Sequence, residues 1–314
     1  MNEQETKSVL TIALMAAFAD GLKDDRERAA VRRVADALGP EAGFDLPGLY
    51  RDVLLSKPDL AQVAVALQSQ ESRQLAYEMA VGICDADGAQ GPAEAEFLAK
   101  LASALNVPVS VASSVKGSAD KFADAAFEPA PAVAGTVLGK ASVSAAEMDQ
   151  MILNASITNA ALELLPESIA SMAIIPLQMR LVYRIGKAYG YEMDRSHAKD
   201  FLATLGVGLT SQYLEQFGRK LLGGLLGGIG GGLGRSIGRQ VASSGLTFAT
   251  TYALGRVAER YYAGGRTLDT ATLKQTFASL LEEARGLASR YQGEIEHKAA
   301  TIDTRSLASL IKQV

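Results

Sequence analysis

The sequence has very few of the residues that build disulfide-rich, zinc-binding or catalytic sites. It contains one cysteine, two histidines and no tryptophan in 314 residues. The single Cys84 excludes an intramolecular disulfide framework and a cysteine-rich zinc site. Neither His197 nor His297 has a ligand-like companion at helical spacing, and His197, close to Asp194, fits a solvated helix start better than a general base. We therefore expect a protein that is not an enzyme, with Cys84 as a small buried side chain.

The N-terminus also lacks the basic residues that open a secretory signal, since Glu3 and Glu5 precede its first apolar stretch. This predicts a cytoplasmic protein. The length favours two domains. Hydrophobic residues make up 48% of the chain but aromatic residues only 6%, so the apolar content is mostly aliphatic. This composition, with helical spacing of its apolar residues, predicts an all-α fold.

Charge divides the chain into an acidic head and a basic body. Residues 1–130 carry 12 basic and 20 acidic side chains, a net charge of −8, whereas residues 131–314 carry a net charge of +4. From Gln178 to Arg266 the net charge is +7, in the part that is also richest in glycine. This division predicts different partners for the two halves.

The first hundred residues contain an internal repeat with an offset of 67 residues. The segment AFADGLKDDRERAAVRRVADALG, which begins at Ala17, aligns without a gap with a segment that contains ICDADGAQGPAEAEFLAKLASALN. Each copy has an Ala-Asp-Gly turn and a glutamate seven residues after the aspartate. The paired positions are Asp20 with Asp87 and Glu27 with Glu94.

These acidic turns have two interpretations. The second turn matches part of the spacing of an EF-hand loop through Asp85, Asp87, Gly88 and Glu94. Its first ligand position is Ile83, which cannot bind calcium through its side chain. One loop alone is therefore not a tight calcium site. Two such half-loops brought together by the repeat could share a divalent cation. The alternative is that the acidic residues cap helices and form a solvated surface.

The repeated turns resemble the TerB/DjlA-like helical domain that is associated with tellurite resistance and stress operons. The resemblance covers about residues 5–107 and implies a small all-α bundle. In that family the acidic turns are linked to metal binding, which implicates Asp20, Glu27, Asp87 and Glu94, with Asp24 and Asp85 as neighbours. Between the turns, apolar spacing predicts helices over Leu46–Leu55, Leu60–Leu67 and Gln70–Ile83, and a further helix over Val109–Phe127.

A proline-containing stretch of small residues, EPAPAVAG, begins at Glu128 and has the composition of a linker. We therefore predict an N-terminal bundle over residues 1–127, a linker over 128–143, and a C-terminal helical domain over 144–314. Within the last of these, Ile174–Gly190 has apolar residues on one face and Arg180, Arg184 and Lys187 on the other. This segment is either a core helix with a solvated face or a helix on a membrane surface.

The most unusual stretch is LLGGLLGGIGGGLGRSIGRQ, from Leu221 to Gln240. Each glycine disfavours a helix in water by about 1 kcal/mol relative to alanine, but glycines four residues apart allow helices to pack closely. We expect a glycine-rich helical hairpin, or glycine zipper, that contacts a membrane or forms an oligomer interface. The residues assigned to that interface are Gly223, Gly227, Gly231, Gly234, Gly238, Arg235 and Arg239.

Other uses of this stretch do not fit its residues. It is not a Walker A nucleotide loop, because Ile229 occupies the first glycine position and the lysine is missing. The uncharged run from Leu221 to Gly234 has 14 residues, fewer than the roughly 20 that span a bilayer. No recognised module indicates nucleic-acid binding.

Three parts of the chain carry a second resemblance: PLQMRLVYRIGKAYGYEMDRSHAKDFLATLGVG, the glycine-rich stretch and SSGLTFATTYALGRVAERYYAGG. Together they resemble the YcjF-like domain of unknown function. The resemblance covers about residues 145–290. It implies association with the bacterial inner membrane and a separate dynamin-like or Era-like GTPase as a partner.

These observations predict a non-enzymatic, membrane-associated interaction or scaffold protein of a stress or GTPase-linked bacterial system, peripheral to the cytoplasmic face of the inner membrane. Its expected partners are an anionic membrane surface, a GTPase or stress-operon protein, and further copies of itself. The acidic turns leave two expectations for a cofactor: a divalent ion such as calcium, magnesium or zinc, or none. The alternative is a soluble metal-binding regulator whose glycine-rich helices form an oligomer core.

Overall fold

The computed structural model describes residues 1–21, 25–86, 90–129, 138–205, 209–222 and 233–314. The structure does not describe the side chains of residues 25–27, 41, 209 and 233–242. Within the described ranges the chain forms α-helices and two short 3-10 helices, with no strand. The predicted all-α class is therefore confirmed.

The first eight helices are α1 (Glu3–Ala17), α2 (Asp25–Ala42), α3 (Leu46–Ser56), α4 (Leu60–Val65), α5 (Gln70–Cys84), α6 (Pro92–Ala104), α7 (Val109–Ala126) and α8 (Ala145–Leu164). The four of these whose bounds were predicted, α3, α4, α5 and α7, are present within two residues of those bounds. The remaining helices are α9 (Ser168–Met172), α10 (Ile174–Ala188), α11 (Arg195–Thr204), α12 (Leu209–Leu222), α13 (Leu233–Ala263), α14 (Thr270–Ala288), α15 (Gln292–Thr301) and α16 (Leu307–Gln313).

Short polar side chains set many of the helix starts. An Asp, Asn or Ser at the N-cap accepts a hydrogen bond from a backbone N–H of the first turn, which would otherwise have no partner. The capping residues of this kind are Asn2, Asp45, Asp59, Ser69, Ser144, Asp194 and Asp269. Two glycines adopt the left-handed conformation expected where a helical segment ends. Gly21 and Gly190 have φ values of 66° and 81°.

The helices form two compact units, and each unit is assembled from separate pieces of the chain. Unit 1 comprises Met1–Asp120, Pro166–Met172 and Gly208–Arg239. Unit 2 comprises Lys121–Leu165, Ala173–Val207 and Gln240–Val314. The units and the predicted domains divide the chain differently, because α9 and α12 follow the predicted linker in sequence but belong to unit 1.

The centre of unit 1 is a parallel pair of helices, α1 and α5, each of 15 residues. Near their N-terminal ends, the Glu5 carboxylate accepts a hydrogen bond from the Ser72 hydroxyl at 3.4 Å. At their C-terminal ends, Cys84 Sγ lies 3.9 Å from the Ala16 carbonyl oxygen. These partners are 67 and 68 residues apart, so the pair follows the offset of the sequence repeat. Cys84 is buried, as predicted.

Helix α12 packs against α1, α2 and α5 in unit 1. Its apolar side chains Tyr213, Leu214, Phe217 and Leu221 are all buried. The Tyr213 hydroxyl donates to the carbonyl oxygen of Met172, in α9, at 2.6 Å. This apolar face explains why α12 lies among the N-terminal helices despite its position in the sequence.

In unit 2, α8 and α13 run antiparallel. Among the pairs of residues in contact, residue numbers rise along α8 as they fall along α13. The pairs are Asp149 with Arg256, Ile152 with Gly255, Asn159 with Thr251, and Glu163 with Ser243. A second set of contacts is apolar and surrounds Phe248 of α13, which packs with residues of α8, α14 and α15. The core of unit 2 therefore combines apolar packing with buried polar pairs.

Candidate functional site

The first acidic turn follows α1. Asp20 lies in the turn and is partly buried, and Gly21 adopts the predicted left-handed conformation. Glu27 is the third residue of α2, and its side chain lies outside the description. The neighbouring Asp24 is outside the described residues as well. The structure thus places the turn after α1 but describes only Asp20 among its candidate ligand side chains.

The second acidic turn follows α5. Asp85 is the C-cap of this helix, and Asp87 lies outside the described residues. Glu94 is 9% exposed, and its Oε2 accepts a hydrogen bond from the Gly91 N–H at 2.8 Å. The carboxylate therefore satisfies a backbone donor at the start of α6, which is the role that the capping interpretation gave it.

The parallel α1–α5 pair brings the two acidic turns to the same end of unit 1. Asp20 follows the C-terminus of α1 and Asp85 caps the C-terminus of α5, where Cys84 contacts Ala16. The C-terminus of a helix carries partial negative charge, so two adjacent C-termini with two aspartates favour a cation. Among the described side chains, however, no group of three His, Cys, Asp or Glu residues is arranged to hold a metal ion.

A tyrosine of α12 is electrostatically coupled to the second turn. Burial raises the pKa of the Tyr213 phenol well above its ordinary value, and the negative charge of Asp85 raises it further. No pattern in the sequence singles out Tyr213, because its neighbourhood depends on a contact between distant parts of the chain.

The predicted glycine-rich interface is described only in part. Three of its residues lie outside the described ranges: Gly223, Gly227 and Gly231. The other four lie in the first two turns of α13, where the backbone is described and the side chains are not: Gly234, Arg235, Gly238 and Arg239. Within the described residues, the stretch therefore continues into a helix of 31 residues.

The described part of α13 packs closely through small residues. A Cβ atom added at Gly255 would lie 2.8 Å from Ile152 Cγ2 and 3.1 Å from Leu181 Cδ2. One turn away, Thr251 Oγ1 accepts hydrogen bonds from Asn159 Nδ2 at 3.1 Å and from Gln178 Nε2 at 3.2 Å. These three polar residues are fully buried, and we call them the polar seam.

Several basic residues of the +7 region are paired with acidic residues. Arg256 Nη1 lies 2.5 Å from Asp149 Oδ1 and 3.0 Å from Glu259 Oε2. Burial lowers the pKa of Arg256, but hydrogen bonds to Tyr252 and the two carboxylates outweigh it and raise the pKa overall. Asp149 lies outside the 178–266 region, so folding offsets part of the charge that the linear sequence concentrates there.

Two of the three cations on the basic face predicted for α10 are covered, whereas the Lys187 side chain is 35% exposed and lies 3.4 Å from Glu192 Oε2. Arg180 is only 4% exposed; Nη1 donates to the carbonyl oxygen of Glu128, and Nη2 donates to that of Lys312 at 3.2 Å. Arg184 is partly buried and donates to the backbone oxygen of Val314. Burial lowers the pKa of both arginines, and the nearby charge of Arg184 lowers that of Arg180 further. The burial of α10 fits the core-helix interpretation of this segment, but Arg180 is not solvated as that interpretation expected.

His197 lies at the start of a helix, as its position next to Asp194 in the sequence predicted. His197 is the third residue of α11, and its N–H donates to Oδ1 of the N-cap Asp194 at 2.9 Å. The His197 ring Nδ1 also lies 2.7 Å from this oxygen. The pair therefore stabilises the start of a helix.

No helix in the described ranges combines the length and the apolar character needed to cross a bilayer. This finding applies to α13 only from Leu233 onward, since residues 223–232 are not described. Comparison of the chain with protein-family models, with curated proteins and with solved structures found no match.

Proposed function

We propose that the protein is a non-enzymatic helical interaction protein that binds the surface of an anionic membrane through residues 219–239. In this proposal the acidic turns of unit 1 are TerB-like, and the glycine-rich stretch is part of the sequence region that is YcjF-like. A GTPase or stress-operon protein is the proposed partner on the resemblance alone. The membrane is the part of the proposal that the described residues support.

The observation that carries the proposal is the packing of α13. Helices that associate in an apolar medium use small residues for close approach and polar side chains for hydrogen bonds between helices. Gly255 and the polar seam provide both features in the direct continuation of the glycine-rich stretch. A stretch that continues into such a helix is suited to an environment poorer in water than the bulk solvent.

Charge supports a surface contact. Arg256 and Arg219 are neutralised locally by Asp149 and Glu215. Arg235 and Arg239 interrupt the glycine-rich stretch itself, and they are four residues apart within α13, which is the spacing of neighbours on one face of a helix. Cations at an anionic leaflet contribute roughly 1 kcal/mol each to binding.

Co-sedimentation with vesicles tests the proposal. The full chain should pellet with vesicles of one third phosphatidylglycerol and two thirds phosphatidylcholine at low salt, and much less with phosphatidylcholine alone or at high salt. The double variant Arg235→Gln/Arg239→Gln should bind roughly 30-fold more weakly, from the loss of about 2 kcal/mol.

A matched control is Arg285→Gln/Arg290→Gln, which removes the same charge from exposed positions outside the glycine-rich stretch. If both double variants lose binding equally, overall charge rather than this stretch determines the association. If the wild-type chain binds none of the vesicles at low salt, the membrane proposal is wrong.

A second candidate function is binding of a divalent cation by the acidic turns of a self-associating regulator. The parallel arrangement of α1 and α5 supports it, because it brings Asp20 and Asp85 to the same end of unit 1. Calorimetry of the full chain with calcium, magnesium and zinc should then give a saturable signal.

Asp20→Asn/Asp87→Asn should abolish that signal, whereas Asp52→Asn/Asp120→Asn, which removes the same charge at exposed positions, should leave it unchanged. Sedimentation velocity in the presence and absence of the ion then measures self-association. A wild-type chain that gives neither heat nor a thermal shift with any of the three ions would leave the turns with a capping role only.

A further inference from the structure

The cationic face of α10 lies beneath two other segments of unit 2. One is the segment at Glu128 and the other is α16, whose side chains Leu307 and Ile311 are 1% and 0% exposed. Both segments supply backbone oxygens to Arg180. The carbonyl of Lys312 lies in the last turn of α16, where a cation is favoured by the helix dipole.

Of the two arginines of this face, Arg180 is buried and Arg184 is partly buried. Arg180 and Arg184 are one helical turn apart, and neither pairs with a side-chain carboxylate in the described part of the chain. Arg180 Nε is buried and has no hydrogen-bond partner among the described residues. Arginine is seldom buried unless it is paired with an anion. The ring of Tyr183 lies 5.7 Å from the Arg180 guanidinium, and the charge of Glu128 is nearby. The hydrogen bonds that the described residues provide to both arginines, however, come from backbone oxygens.

The cover is a short element held at its end by a half-exposed ion pair. Helix α16 has seven residues. Lys312 Nζ lies 2.9 Å from Glu128 Oε2, and the two side chains are 46% and 48% exposed. An ion pair this exposed contributes little to stability. The cover therefore depends mainly on the burial of Leu307 and Ile311.

We propose that the basic face of α10 is a second contact surface for anionic lipid, which α16 covers and which becomes available when α16 is released. The ligand is the phosphate of an anionic headgroup, because guanidinium groups pair with phosphate in bidentate geometry. This regulation rests on the membrane association proposed above. Release exposes Arg180 and Arg184, while the apolar face of α10 stays in the core, where Leu177 and Leu181 are fully buried.

Release of α16 should raise vesicle binding by roughly 30-fold, since two newly exposed cations contribute about 2 kcal/mol. Ile311→Asp places a charge at a fully buried position of α16 and releases it. Ser309→Asp adds the same charge to an exposed position of the same helix and should not raise binding. Both are compared with the wild-type full chain on the phosphatidylglycerol vesicles, after circular dichroism has shown that they are folded.

A gain that comes from α10 must disappear when its arginines are removed. Arg180→Gln/Arg184→Gln in the Ile311→Asp background should return binding to the wild-type level. If the gain persists in that background, exposed apolar surface causes it and the proposal is wrong. It is also wrong if folded Ile311→Asp binds no better than Ser309→Asp, or if the gain appears with RNA and not with vesicles.

A second release variant decides the question if Ile311→Asp does not fold. Leu307→Ala removes apolar burial from α16, where Leu307 is 1% exposed, and adds no charge. Release predicts that this variant binds more of the phosphatidylglycerol vesicles than the wild type, and that Arg180→Gln/Arg184→Gln in the same background does not. A folded Leu307→Ala variant that binds like the wild type would overturn the proposal.

The same measurements separate this surface from the one at residues 219–239. A wild-type chain that binds through Arg235 and Arg239, with no gain on release of α16, supports the proposed function and contradicts the covered surface. A wild-type chain that does not bind, with an Ile311→Asp variant that binds through Arg180 and Arg184, supports the covered surface and contradicts the proposed function.

Discussion

At the scale of single residues, Gly255 shows how closely α13 approaches its neighbours. A methyl group at this position would lie within 3.1 Å of atoms of Ile152 and Leu181, and both side chains are fully buried. We expect Gly255→Ala to destabilise the protein by about 1–3 kcal/mol, because the tightly packed core must shift to admit the extra atom. Chemical denaturation monitored by circular dichroism measures this change.

Gly286→Ala is the matched control, since Gly286 is a helical glycine of α14 at which an added methyl group would meet no neighbouring atom within 4 Å. There alanine should stabilise the helix by roughly 0.5–1 kcal/mol. Equal effects of the two substitutions would show that Gly255 is not required for close packing.

Asp194 gives the start of α11 a defined pH dependence. The N–H of His197 is the main cause that lowers the pKa of the Asp194 carboxyl to about 2 from 3.8, and the Ser196 hydroxyl adds to it. A carboxyl with a lowered pKa in the folded state stabilises the fold fully above its unfolded value. This contribution should therefore be present above about pH 4 and decline as the pH falls from 3.8 towards 2.

Thermal denaturation of the wild type and of Asp194→Asn between neutral pH and pH about 2 tests this expectation, since asparagine is a comparable N-cap without the charge. The difference in melting temperature should shrink towards the acidic end of the series. His197→Gln should retain most of the pH dependence, because the backbone N–H remains. A constant difference across the series would contradict the assignment.

At the scale of elements, local sequence patterns predicted most helices of the first half. Leu46–Leu55 and Gln70–Ile83 differ from the observed helices by one residue at one end, because caps and prolines mark helix boundaries locally. The covering of Arg180 was not predictable in this way. It depends on Glu128 and Lys312, which lie 52 and 132 residues away in the chain.

In the candidate sites, too, features set by local sequence were predictable, and features set by contacts between distant residues were not. The internal repeat predicted that two acidic turns could come together, and the parallel pairing of α1 and α5 places Asp20 and Asp85 at one end of unit 1. The capping role of Glu94 follows from its position three residues after Gly91. The placement of Tyr213 near Asp85 required α12 to join unit 1, and no local pattern carries that information.

At the scale of the whole molecule, the segment that resembles a separate N-terminal domain lacks two of the helices that complete its unit. A fragment of residues 1–127 omits α9 and α12, and with α12 the buried side chains of Tyr213 and Phe217. We expect this fragment to expose apolar surface, to bind a hydrophobic dye strongly and to unfold at a lower temperature than the same residues in the full chain.

A fragment that joins residues 1–127 to a peptide of residues 209–222 through a flexible glycine-serine linker should recover part of the lost stability. Replacing Phe217 by alanine in that peptide should remove most of the recovery, since loss of a buried phenylalanine costs about 3–5 kcal/mol. If fragment 1–127 alone is as stable as the full chain and binds no dye, α12 does not complete its core.

The division of each unit among three pieces of chain also limits how such a protein can change by recombination. A genetic exchange within residues 128–143 would deliver a new C-terminal half without the α12 surface to which α1, α2 and α5 are matched. Exchange of either half therefore requires compensating changes at that contact. A cut in the predicted linker would therefore separate two surfaces that must stay matched for unit 1 to fold.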